Sequence, residues 1–175
     1  MIVYIDFIMA NVIYPPTSLL QARSSIRWVS LFLAGSIEMG SAEPWQDEVI
    51  SLLSDHKDLT IFNPRRADWD SSWKQEIGNP HFKEQVTWEL NALTASDVVV
   101  FYFDGNTKSP ISMFELGLMA AFSYYKKILV YCPDVFWRKG NIDIVCERYH
   151  IPVYSDKSEF MTNLKNLIDN FEVDL

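Results

Sequence analysis

From Trp28 onward, short runs of β-branched and aromatic residues alternate with longer stretches whose apolar positions recur at three and four, the pattern of βαβ units around a parallel sheet. The strands read as Val29 to Ala34, Leu59 to Asn63, Asp97 to Phe103, Ile128 to Cys132 and Ile151 to Tyr154. The third carries five consecutive apolar residues, Val98 to Tyr102, and so should lie centrally, covered on both faces. Between them the periodicity predicts helices from Ala42 to about Ser54, capped by Ser41, and from Pro80 to about Ala95, capped by Asn79. A third runs from Pro110 through about Tyr125 after Ser109, followed by Ile142 to Tyr149 and a closing helix from Ser158 to Phe171.

Upstream, Asn11 to Tyr14 is a plausible edge strand that Pro15-Pro16 terminates, because proline cannot donate to a ladder. The apolar start, Met1 to Ile13, is too short to span a bilayer, carries Asp6 and lacks a basic flank, so it reads as non-targeting. Met9 is a second candidate start, which would leave residues 1–8 as an upstream extension. These elements imply a three-layer αβα fold with a five-stranded, mainly parallel sheet and an extra N-terminal edge strand. Residues 1–27 form an extension and residues 28–175 a single α/β domain.

Composition narrows the partners. A formal charge of −8 disfavours a nucleic-acid polymer, whose phosphates are normally met by a basic surface. The two cysteines, Cys132 and Cys146, form no zinc-type spacing and suit a reducing cytoplasm. No membrane association is expected.

In open parallel sheets ligands bind beyond the carboxyl ends of the strands, near the point where strand order reverses. That rule selects Gly35 and Ser36, then Asn63 to Arg66, then Asp104 to Ser109. Glu115 lies little more than one turn into the helix that starts at the same rim, inside the otherwise apolar run Ile111 to Phe122. A carboxylate there is costly to desolvate unless it is paired or used. The alternative is an exposed stripe on an amphipathic helix. The long loop from Pro64 to Gly78 carries Arg65, Arg66, Asp68, Trp69 and Trp73. Its arginines can meet a phosphate, and its tryptophans can stack on a base or anchor the loop.

Several of these residues also carry a resemblance. Phe32-Leu33-Ala34-Gly35-Ser36, Trp88-Glu89-Leu90-Asn91, Ser96 to Val100, Phe114-Glu115-Leu116-Gly117 and Pro133-Asp134 together resemble the nucleoside 2-deoxyribosyltransferase superfamily, over roughly Val29 to Tyr154. The resemblance implies a flavodoxin/Rossmann-like catalytic domain that cleaves the N-glycosidic bond of a nucleoside or nucleoside 5′-monophosphate. Glu115 would be the nucleophile and Glu89, where the family usually has aspartate, the general acid/base. The covalent intermediate would be resolved by a second base, as in a transferase, or by water, as in an N-glycosidase.

Ser109 stands where nucleoside transferases resemble one another in having aspartate and nucleotide N-glycosidases in having serine, which implies a 5′-phosphate contact; helix capping is the other role open to it. Asn141 matches a residue that family members lend to a neighbouring subunit, implying a homodimer or higher homo-oligomer with shared sites. Phe32 replaces a family tyrosine that orients the nucleophile, so orientation would fall to Tyr102 or to the tryptophan-rich loop. No metal or organic cofactor is implied. A non-catalytic nucleotide-binding sensor is the alternative, because one fold supports many functions.

Overall fold

The computed structural model describes residues 9–19, 29–37 and 42–171. Six strands, β1 (Asn11–Ile13), β2 (Val29–Gly35), β3 (Leu59–Phe62), β4 (Val98–Tyr102), β5 (Lys127–Tyr131) and β6 (Val153–Tyr154), form one sheet in the order β1-β3-β2-β4-β5-β6. Every pairing is parallel. Five helices are described: α1 (Trp45–Leu52), α2 (Pro80–Ala95), α3 (Pro110–Ala120), α4 (Lys139–Arg148) and α5 (Lys157–Asp169). Without the edge strand β1, the order is that of flavodoxin-type sheets, with its switch point between β2 and β4.

The sequence of β2, Val-Ser-Leu-Phe-Leu-Ala-Gly, sends alternate side chains to opposite faces. Leu31 and Leu33 join Val98, Val100 and Tyr102 on one face, covered by α1 through Trp45 and Val49 and by α5 through Phe160 and Leu164. Phe32 and Ala34 join Val99 and Phe101 on the other, covered by Trp88 of α2, Leu116 and Met119 of α3, and Ile142 of α4. Two apolar layers therefore enclose β2 and β4, whose residues are almost wholly removed from water. This is why both strands read as continuous apolar runs rather than alternating ones.

The sheet is wholly parallel and has six strands, because Asn11–Ile13 pairs with Thr60–Phe62 of β3. Element ends differ from the sequence reading by a few residues. The helix expected from Ala42 starts at Trp45, preceded by Pro44, and its proposed cap Ser41 lies outside the described residues. Residues 1–8 lie outside them too. Helix α3 stops at Ala120, and tighter i+3 hydrogen bonds such as Phe122 N–H to Met119 and Tyr125 N–H to Phe122 carry the chain to β5. Helix α4 begins at Lys139, three residues earlier than expected. The last strand is only Val153–Tyr154, following Pro152, and Asp156 caps α5 by accepting from the Glu159 N–H at 2.8 Å.

Candidate active site

The carboxyl ends of β2 and β4 meet at Gly35, which sits opposite Tyr102 in the ladder. Gly35 has φ +150°, and a Cβ there would lie 2.3 Å from the Tyr102 carbonyl oxygen. Only glycine permits this approach, and it brings the next residue into place. The Ser36 N–H donates to the Tyr102 carbonyl at 2.8 Å, and the Trp45 indole donates to the Ser36 carbonyl at 3.0 Å.

The Ser36 hydroxyl is thereby fixed beside the loop that opens α3. Its Oγ lies 2.6 Å from Ser109 Oγ and 2.8 Å from Thr107 Oγ1, which are themselves 2.8 Å apart. The Asp104 N–H donates to Ser36 Oγ at 2.9 Å, and Thr107 Oγ1 donates to the Asp104 carbonyl at 2.9 Å. Three hydroxyls thus form a ring at the amino end of a helix, where backbone N–H groups and the helix dipole favour an anion. Ser109 has a left-handed backbone, φ 44°, and its side chain does not cap the helix. Its Oγ belongs to the ring instead, and proline at the first helical position removes one N–H that would need capping.

Glu115 is on the inner face of α3, 8% exposed beside Ser112, Leu116 and Met119. The exposed stripe is apolar: Ile111, Phe114, Leu118 and, past the helix end, Phe122. The amphipathic alternative for Glu115 is thus reversed, with the charge inside and the large apolar residues outside. Glu115 accepts no hydrogen bond among the described residues. Burial pushes its pKa up to about 8, with the Glu89 charge adding to the rise. Glu89 faces it from α2, half-buried, and burial raises its pKa to about 7 against an opposing hydrogen bond from Gln85. The Glu89 charge and burial thus both favour a protonated Glu115, and burial favours a protonated Glu89.

The loop between β3 and α2 is knitted to itself and to α2. Arg66 donates to Asp68 at 2.6 Å and to Glu84 at 3.1 Å, with its guanidinium over the Trp73 ring. Its charge is already answered by two carboxylates. Trp69 meets Trp73 edge-on, and Trp73 stacks on His81 at 5.0 Å, so the tryptophans anchor the loop. Arg65 reaches back to the Ala42 and Glu43 carbonyls at 3.4 and 3.3 Å, and neither its buried Nε nor the Trp69 indole nitrogen finds a partner among the described residues. Asn63 is buried and its Oδ1 accepts from the Arg65 N–H at 3.0 Å, shaping the turn out of β3. Asp104 shapes the next rim loop by accepting from the Asn106 N–H at 2.8 Å.

Ser36, Asp104 and Ser109 therefore come together in one hydrogen-bonded cluster, and Glu89 and Glu115 form a second group on neighbouring helices. Asn141 stands exposed on the first turn of α4, tied to neither group. Phe32 packs against Trp88 at 6.4 Å between ring centres and offers no hydroxyl to Glu115. Tyr102 does not take over that role. It lies on the opposite face of the sheet, stacked on Trp45 at 4.7 Å, with its hydroxyl donated to Glu43. Thr107 lies within the rim range Asp104 to Ser109 without having been singled out, and sequence reasoning did not reach Gln85. The position of Gln85, one helical turn before Glu89, was the available signal for the latter.

No cluster of three or more potential metal ligands occurs among the described residues. Among them, no helix is long and apolar enough to cross a membrane.

The family model described as nucleoside 2-deoxyribosyltransferase like matches residues 28–136, a span that includes both carboxylates and the hydroxyl ring. The crystal structure of a conserved protein from Enterococcus faecalis V583 shares the fold, with a TM-score of 0.54 and 15% identity over 81% of this chain and 97% of that chain. None of the curated proteins matches the chain.

Proposed function

This chain belongs to the nucleoside 2-deoxyribosyltransferase-like family, and on that premise we propose that it cleaves the N-glycosidic bond of a nucleoside 5′-monophosphate or nucleoside through a covalent intermediate on Glu115. The desolvated carboxyl pair of buried Glu115 and half-buried Glu89 supports this reading above all else. An oxocarbenium-like transition state needs a nucleophile on one side of the sugar and a proton donor at the leaving group; the reacting form is the one with Glu115 ionised and the proton on Glu89.

In the first step a Glu115 oxygen bonds to the anomeric carbon while the carbon–nitrogen bond breaks. Its electron pair leaves on the base, which takes the proton of Glu89. In the second step a new base or water attacks the same carbon, Glu115 departs as carboxylate, and Glu89 recovers a proton from the acceptor.

The hydroxyl ring of Ser36, Thr107 and Ser109 supports a phosphate as the far anchor of the substrate. Glu115 stands six positions after Ser109, a helical rise of about 9 Å that leaves room for a pentose between phosphate and nucleophile. Arg66 is spent on Asp68 and Glu84, so neutral hydroxyls and backbone N–H groups, not Arg66, would carry the phosphate. The outward apolar stripe of α3, with Leu90 exposed on α2, is a surface a second copy would cover, giving a homodimer to which Asn141 can contribute across the interface. Two buried free cysteines accord with a cytoplasmic location.

The test is free-base release from a panel of nucleosides and their 5′-monophosphates, with and without an acceptor base. Monophosphates should be the better substrates, and Glu115→Gln should lower turnover at least about a thousandfold while retaining binding. An active Glu115→Gln variant removes the nucleophile assignment. Tight nucleotide binding without any release or exchange by the wild type would make the chain a sensor.

A further inference from the structure

Gln85 is buried on α2, one turn before Glu89, and its side-chain nitrogen makes two hydrogen bonds. One hydrogen goes to the Pro64 carbonyl at 3.0 Å, the other to Glu89 Oε1 at 2.8 Å. A backbone carbonyl can only accept, so the amide cannot be turned round, and the second N–H must point at Glu89. The amide oxygen, in contrast, is buried and finds no partner among the described residues. A buried acceptor left unpaired is destabilising. The arrangement is accounted for by what the two N–H groups hold.

Resting on the reaction read above, we infer that Gln85 is a positioning residue for Glu89: by donating to Oε1 while anchored on Pro64, it leaves Oε2 as the oxygen that carries the transferable proton. Oε1 accepts from Gln85 whether Glu89 is charged or neutral, so the acid hydrogen sits on the other oxygen in both halves of the reaction. Pro64 follows Asn63 at the exit of β3, so the same amide fixes the carboxylate relative to the rim of the sheet. The charged group that faces Glu89 from α3 is Glu115, and Arg66 on the loop is committed to Asp68 and Glu84. Burial favours the protonated form of Glu89, and the Gln85 hydrogen bond opposes it, which keeps the group able to release its proton as well as hold it.

The experiment compares wild type, Gln85→Leu and Gln85→Met, the last preserving an unbranched shape should leucine not fold. The titration of the Glu89 carboxyl carbon is followed by NMR on glutamate-labelled protein without substrate, and the pH profile of base release is measured separately. Loss of the donor should move the Glu89 midpoint upward by about one pH unit or more. The basic limb of kcat should move with it, and kcat should fall roughly tenfold to a hundredfold with KM changed far less. An unmoved Glu89 midpoint in a folded variant overturns the inference, as does a uniform loss of activity with both limbs in place. Absence of base release by the wild type would instead reject the reaction itself, and the Glu89 titration would still decide whether Gln85 holds that carboxyl.

Discussion

Glu115→Gln should stabilise the protein against unfolding, and the gain should grow with pH. In the native state burial and the neighbouring Glu89 raise the Glu115 pKa from 4.5 to about 8, whereas in the unfolded chain the group ionises normally. The folded state therefore retains a proton that the unfolded state releases, and stability declines as pH rises through this interval. At about 1.4 kcal/mol per pH unit the full shift corresponds to at most about 5 kcal/mol, and relaxation around the charge reduces this to about 2–5 kcal/mol. Glutamine keeps the shape and removes the charge, so the difference from wild type should be small near pH 4.5, open between pH 5 and 8, and level off above. For a chain of this length it amounts to roughly 5–14 °C in Tm. Thermal unfolding of both proteins from pH 5 to pH 9 measures it. A Tm difference that stays constant across that range would show that Glu115 is solvated in the folded protein and would refute the desolvation argument from which its chemistry was built.

The same structure makes two further predictions. Gly35→Ala should destabilise by about 3 kcal/mol or more, because a Cβ 2.3 Å from the Tyr102 carbonyl must part β2 from β4 and move Ser36 out of the hydroxyl ring; wild-type behaviour in urea unfolding would show that the ladder yields there. Phe114→Glu, at a side chain 68% exposed on the apolar stripe of α3, should leave the fold intact and convert a dimer to monomers. Sedimentation of wild type and variant checks it, and a wild type already monomeric at micromolar concentration would count against the interface.

Much of the architecture was legible before any coordinates. Val98 to Tyr102 can only be a strand covered on both faces, since five consecutive apolar residues have no polar side to offer water. Asn79-Pro80 marks a helix start by local chemistry alone, and the Asn79 side chain does accept from the His81 and Phe82 N–H groups. The rim positions Ser36, Asp104 and Ser109 followed from the rule that places ligands beyond parallel strands. Glu115 was noticeable as a charge in an apolar run. These are properties of short segments, where the backbone and the nearest neighbours in sequence decide.

What the sequence could not decide were relations between segments. The periodicity of α3 allowed Glu115 to face either way, and only the packing of Leu116 and Met119 on the sheet turned it inward and left Phe114 outside. For Ser109 the sequence left phosphate contact and helix capping both open; its left-handed backbone and the approach of Ser36 across the switch point made it part of a hydroxyl ring. Arg66 read as able to meet a phosphate, but Glu84, from α2, shares it with Asp68. Tyr102 and Phe32 lie in adjacent paired strands yet face opposite layers, a difference fixed by strand register. The sequence alone determined the elements, their parallel order of alternation and the rim at which chemistry would gather. Which side chains meet there depended on burial and register, because both are set by contacts between residues far apart in the chain.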